Sequence, residues 1–210
     1  MIALPRVYAI VDPALLKDRS ASGISWFLRE LISGGATLIQ LRNKSGSAKE
    51  ILAQAREMRR VASLYTSTRI RLIMNDHADL CLAADFDGVH VGQEDLTPEG
   101  VRRIVGSQRW IGVSTHHPEQ LRAANKTDAN YIAIGPIFQT TSKRNPDPVV
   151  GLEGIRAARA LTARPLVAIG GITLENCRSV IDAGADAVAI ISALLDDPRK
   201  RTEAFLRKLG

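Results

Sequence analysis

The sequence predicts a (β/α)8 barrel. Three observations carry that expectation: eight short apolar runs, helical patterns or helix-start signals between them, and a length of 210 residues, which is the short end of the range for this fold. The runs are VYAIVD (7–12), TLIQLR (37–42), RLIMND (71–76), GVHVG (88–92), WIGVST (110–115), YIAIGPIF (131–138), PLVAIGG (165–171) and AVAIISA (187–193). Most are apolar on both faces, as expected for parallel strands covered by helices. An open doubly wound sheet is the alternative. It usually has fewer strands and a glycine-rich first turn, whereas YAIVDPALLKD has no glycine. The reading adopted is one barrel domain over residues 1–210.

The connecting segments follow in order. In 23–33, Ile24, Phe27, Leu28, Leu31 and Ile32 recur at three- and four-residue spacing, and Gly34-Gly35 ends the run. Ser47 with Glu50 three positions later forms a capping-box pattern opening a helix over 47–64. Asp76 precedes a further helix. Thr97-Pro98, His117-Pro118 and Asp197-Pro198 each place proline where a first helical turn starts. Segments 174–183 and 198–209 supply the last two helices.

Composition narrows the class. Hydrophobic residues at 45% and charged residues at 24% are ordinary for a soluble globular protein. No apolar run reaches the roughly 18 residues needed to span a bilayer, and the N-terminus has no long apolar stretch, so a cytoplasmic protein without membrane partners is expected. Cys81 and Cys177 are far apart and outside any metal-binding spacing, which reads as two reduced, packed thiols. The net charge of +6 is compatible with nucleic acid or with a multiply phosphorylated small substrate. Only 4% of residues are aromatic, so stacking platforms for bases are scarce and a small-molecule partner is favoured. A homo-oligomer is compatible with the sequence.

In a barrel, active-site groups stand at the C-terminal ends of strands and on the loops that follow. Gln40 and Arg42 share one face of the second strand, and with Lys44 they form a candidate anion site. Asn75-Asp76 closes the third strand and Asp95 follows the fourth. Two carboxylates there suit Mg2+, which takes few protein oxygens and shares its shell with water and phosphates; the alternative is that both cap helices. His90, inside an apolar strand, reads as a structural histidine. His116, after the Ser114 strand end, is the better functional candidate. Ala168-Ile169-Gly170-Gly171 and Ile190-Ile191-Ser192 stand where barrels bind phosphate through backbone amides. The segment GPIFQTTSK (135–143) sets Thr140, Thr141 and Ser142 beside Lys143, equipment for holding a phosphate.

Together QLRNK (40–44), NDHADL (75–80), DGVHVGQEDL (87–96), GVSTH (112–116), GPIFQTTSK (135–143), VAIGGI (167–172) and GADAVAIISAL (184–194) resemble the thiamine phosphate synthase family over nearly the whole chain and in order. The resemblance implies a Mg2+-dependent transferase that joins hydroxymethylpyrimidine diphosphate to hydroxyethylthiazole phosphate and releases pyrophosphate. It implies early carbon–oxygen cleavage to a pyrimidine-stabilised carbocation, which the thiazole nitrogen captures. By matching positions, Gln40, Arg42, Lys44, Asn75 and Lys143 would contact the diphosphate, and Asp76 and Asp95 would hold Mg2+. Thr140, Ser142, Gly171, Ile191 and Ser192 would hold the thiazole phosphate. Ser114 would lie near the pyrimidine, and it shares with Lys143 the catalytic assignment. Two segments depart from the family pattern: His77 stands where Arg is common, and the loop that often reads Pro-Thr-x-Thr-Lys has Gln139 for Pro and Ser142, which keeps the hydroxyl, for the second Thr.

Two other functions are weighed against this one. A thiazole tautomerase of the same superfamily needs an acid/base residue such as His116 but leaves Arg42, Lys44, Asp76, Asp95 and Lys143 without a task. A non-catalytic phosphate- or nucleic-acid-binding module would show no turnover. The segment 140–151 is long for a strand–helix connection and is expected to act as a lid that orders on substrate binding.

Overall fold

The computed structural model describes residues 2–140 and 147–210. The chain runs β1 (Val7–Val11), α1 (Ala21–Ser33), β2 (Leu38–Leu41), α2 (Ala48–Ala62), β3 (Arg71–Asn75), α3 (Ala78–Ala83), β4 (Gly88–Val91) and α4 (Pro98–Val105). It continues through β5 (Trp110–Thr115), α5 (Pro118–Ala124), β6 (Tyr131–Ile134), α6 (Gly151–Leu161), β7 (Leu166–Ile169), α7 (Cys177–Asp182), β8 (Ala187–Ile190) and α8 (Pro198–Leu209). Neighbouring strands pair in parallel in chain order, and β8 closes on β1 with Val7 opposite Val188. The expected (β/α)8 barrel is the observed fold.

Local signals explain the helix starts. Glu50 N–H donates to Ser47 Oγ (3.3 Å) while Ser47 N–H donates back to Glu50 Oε2 (2.7 Å), completing the capping box of α2. Thr97 caps α4 through Gly100 N–H (3.2 Å), and Asp197 caps α8 through Lys200 N–H (3.2 Å). The helix α6 has no such start signal: Val150 at its N-cap offers no side-chain bond. The apolar positions Leu152, Ile155 and Ala158 hold it by packing on the barrel.

Strand alternation divides the core in two. Outward residues such as Val11, Leu41, Leu72 and Val89 pack against the helices, where Leu28, Leu31 and Met58 are fully buried. Truncating one of these to Ala would cost about 2–5 kcal/mol. Inward residues including Tyr8, Leu38, Ile73, Tyr131 and Val167 fill the barrel. At its N-terminal end the Arg71 guanidinium lies 4.0 Å from the Trp110 ring centroid, a cation–π contact that leaves the opposite end for the site.

Most strands stop short of their apolar runs, and the sixth and eighth do so where the run continues into a loop or turn. The sixth ends at Ile134 and the eighth at Ile190, where Ser192–Leu194 turns into a short 3-10 helix. Ile137 is nonetheless fully buried, with its N–H on Ile169 O (2.9 Å), and Phe138 N–H reaches Gly170 O (3.0 Å). The apolar pattern there reports burial, not strand pairing. The expected helix over 174–183 begins only at Cys177. Cys81 and Cys177 are buried free thiols. Among the described residues, no helix is long and apolar enough to cross a membrane.

Candidate active site

A cavity of about 660 Å3 opens at the C-terminal end of the barrel. Gln40, Arg42, Lys44, Asn75, Asp76, Asp95, Ser114, Thr140, Gly171, Ile191 and Ser192 all line it, as does His116. Residues from distant parts of the chain meet because each lies near the C-terminal end of a strand of the same parallel barrel or on the loop that follows it.

One arc of the rim, from β1 to β4, carries most of its charged side chains. Asp76 follows β3 with φ of 64°, and its N–H donates to His90 O (2.8 Å) on β4. This left-handed conformation, tolerated by Asp and Asn, turns its carboxyl over the mouth. There it pairs with the Lys44 ammonium. Asp95 accepts from Gly92 N–H at 2.7 Å. Burial pushes the Asp76 carboxyl above its ordinary range; Lys44 opposes this and the facing Asp95 carboxyl adds to it. Burial acts to raise Asp95 too, but Gly92 N–H and the Asp76 carboxyl together hold it below its ordinary value. Neither residue caps a helix: His77 stands at the N-cap of α3 and Thr97 at that of α4. Beside them the Arg42 guanidinium is held by the buried Asp12 carboxylate, which also accepts from Ala14 N–H (3.0 Å).

The facing pair of half-buried carboxylates fits a hard divalent cation that draws the rest of its shell from water and phosphates. Among the described residues, no group of three or more His, Cys, Asp or Glu could hold a metal without such help.

The opposite arc, on β7 and β8, is nearly uncharged. Gly170 and Gly171 adopt φ of 100° and 64°. A Cβ on Gly171 would stand 2.4 Å from Gln139 O, so only glycine allows the loop after β6 to lie against this turn. Asn176 braces the turn, accepting from Thr173 N–H (2.8 Å) and donating to Gly171 O (3.0 Å). The 3-10 turn at Ser192–Leu194 brings further backbone amides to the same rim. This is an uncharged, amide-rich cradle of the kind that binds phosphate.

Between the arcs, polar side chains form a chain through the barrel. Gln40 Nε2–H donates to Tyr8 OH (2.7 Å), which lies 2.9 Å from Tyr131 OH. Tyr131 OH meets His90 Nδ1 at 3.0 Å, and His90 Nε2 meets Ser114 Oγ at 2.8 Å. Burial holds both phenols above their ordinary pKa and lowers that of His90 to about 4. His90 is thus the structural histidine expected, but it is bonded directly to Ser114. His116 places Nδ1 2.6 Å from Gly135 O and Nε2 3.5 Å from Asp147.

Tyr8, Tyr131 and Asp12 carry no weight in the sequence reading. Alternation could have found the tyrosines, since Tyr8 and Gln40 fall on the inward face of adjacent strands, and Asp12 closes β1 as Asn75 closes β3. Ser142 and Lys143 lie outside the described residues, as does half of the expected lid, residues 141–146. Its last part is anchored: Val150 N–H donates to Pro136 O (2.8 Å) and Gly151 N–H to Ile137 O (3.2 Å), so 150–151 do not share the loose conformation expected for 140–151.

A family model described as thiamine monophosphate synthase matches residues 7–194. The chain belongs to the thiamine monophosphate synthase family. The thiamine-phosphate synthase of Koribacter versatilis is 57% identical to it over 209 residues, 99% of this chain and 97% of the relative. That of Halalkalibacterium halodurans is 41% identical, covering 95% and 93%. The solved structure of thiamine phosphate pyrophosphorylase from Pyrococcus furiosus superposes with a TM-score of 0.84 at 32% identity, covering 97% of this chain and 95% of the other. As a member of the thiamine monophosphate synthase family the chain is an enzyme, a transferase.

Proposed function

We propose that this enzyme joins hydroxymethylpyrimidine diphosphate to hydroxyethylthiazole phosphate, giving thiamine phosphate and pyrophosphate by a dissociative, Mg2+-assisted substitution. One observation carries the reading: a single cavity has a charged arc on β1–β4 facing an amide-rich arc on β7–β8. Two differently charged phosphorylated groups can therefore be held at once, and about 660 Å3 lies within the usual range for small-molecule sites.

Arg42, Lys44 and Lys143 meet the charge that grows on the departing pyrophosphate, with Gln40 and Asn75 fixing its orientation. Asp76 and Asp95 would hold Mg2+, which supplies Lewis-acid neutralisation of that charge. Thr140, Ser142, Gly171, Ile191 and Ser192 hold the thiazole phosphate. Ser114 orients the pyrimidine. The apolar residues Ile10, Ala133, Val167 and Ala189 line the cavity and keep water from a carbocation formed above them.

No observation favours the tautomerase reading, because both ring nitrogens of His116 face protein acceptors. The decisive experiment measures pyrophosphate release with both substrates, with and without Mg2+. Release that needs both substrates and the metal is expected. Release with either substrate alone, or none with both, overturns the reading.

A further inference from the structure

The chain of hydrogen bonds through the barrel has a direction, and Gln40 sets it. Each link between neighbouring neutral groups holds one proton: two would repel, and none would leave lone pairs facing each other. Gln40 Nε2 donates to Tyr8 OH at 2.7 Å. The Tyr8 proton then has one acceptor in reach, Tyr131 OH at 2.9 Å. That commits the Tyr131 proton to His90 Nδ1 at 3.0 Å, so the ring carries its own proton on Nε2. His90 Nε2–H donates to Ser114 Oγ at 2.8 Å, and the Ser114 proton is left pointing into the cavity.

We propose that Gln40, through Tyr8 and Tyr131, locks His90 as the Nε2–H tautomer and thereby makes Ser114 a hydrogen-bond donor to the substrate. Tyr8, Tyr131 and His90 are positioning residues, and Ser114 is the atom that touches. A donor at this place selects a lone pair, such as a pyrimidine ring nitrogen, and rejects an N–H group there. This last consequence rests on the proposed function, since it takes the pyrimidine as Ser114's ligand; the tautomer does not. Burial supports the assignment by keeping the phenols and the imidazole neutral. A directed chain also explains why tyrosine hydroxyls occupy barrel positions that apolar side chains could fill.

The test is the 15N NMR signature of His90 in the ligand-free, full-length protein near neutral pH, assigned by its loss in His90→Gln. The wild type is expected to show the Nε2–H tautomer. Gln40→Glu, whose carboxylate can only accept, should reverse every link and give the Nδ1–H tautomer. Tyr8→Phe keeps the ring but cuts the connection to Gln40, and should give a mixture. An Nδ1–H wild type overturns the proposal, as does an unchanged tautomer in Gln40→Glu. If Gln40→Glu does not fold, the wild type and Tyr8→Phe decide between them, with an unshifted tautomer in Tyr8→Phe counting against it. Because no substrate is present, these outcomes are independent of the turnover assay. In that assay Tyr8→Phe should raise KM for the pyrimidine diphosphate about tenfold and leave that for thiazole phosphate nearly unchanged. Equal changes in both would reject the positioning role.

Discussion

His90 Nε2 lies 2.8 Å from the Ser114 hydroxyl oxygen, joining a buried imidazole on β4 to a cavity-facing group on β5. The ring is neutral because burial lowers its pKa to about 4, against about 6.5 in an unfolded chain.

That difference makes stability depend on pH. Between about 4 and 6.5 the unfolded state binds the proton and the folded state does not, so unfolding is favoured as pH falls. The contribution of neutral His90 is fully present above the upper value and is lost as pH falls to the lower one. At most about 3 kcal/mol is involved. Urea unfolding of wild type and His90→Gln should show the wild type losing more stability across that window; parallel curves would reject the assignment.

Asp76→Asn and Asp95→Asn should each reduce turnover by roughly a hundredfold or more, through loss of charge neutralisation at the departing pyrophosphate. Asn is the informative replacement at Asp76 because it tolerates the φ of 64° that a branched side chain would not. A magnesium titration of each variant checks the cause. Near-normal rates at ordinary metal concentrations would overturn the proposed metal role of Asp76 and Asp95.

The two phosphate sites of the proposed function predict separable defects. Thr140→Ala should raise KM chiefly for thiazole phosphate, and Lys143→Ala should chiefly impair use of the diphosphate, each by roughly ten- to a hundredfold. Steady-state kinetics with each substrate varied in turn measures the split. Equal effects on both substrates would undo this division of labour.

Gly171→Ala should damage both the fold and the phosphate cradle. The added Cβ would stand 2.4 Å from Gln139 O at a backbone φ of 64°, so the turn must open. A stability loss of about 1–3 kcal/mol is expected with a raised KM for thiazole phosphate. Thermal unfolding and the same kinetics test it, and an unchanged KM would place the phosphate elsewhere.

Much of this protein is legible in its residues. The eight apolar runs identify the barrel because strands covered on both faces admit few polar side chains. The capping box at Ser47 and the prolines at 98, 118 and 198 mark helix starts because those signals are local. The polar residues at strand ends mark the mouth, since a buried strand has no other use for them. Tertiary structure decided the rest. Whether Asp76 caps a helix or faces Asp95 depends on a left-handed turn and a bond to β4, which no local pattern records. Ile137 and the residues after Ile190 are as apolar as a strand, and only packing against β7 and the 3-10 turn removes them from one. The chain from Gln40 to Ser114 joins five strands through side-chain atoms. Its members lie up to 123 residues apart, and the closed barrel alone brings them within hydrogen-bond reach.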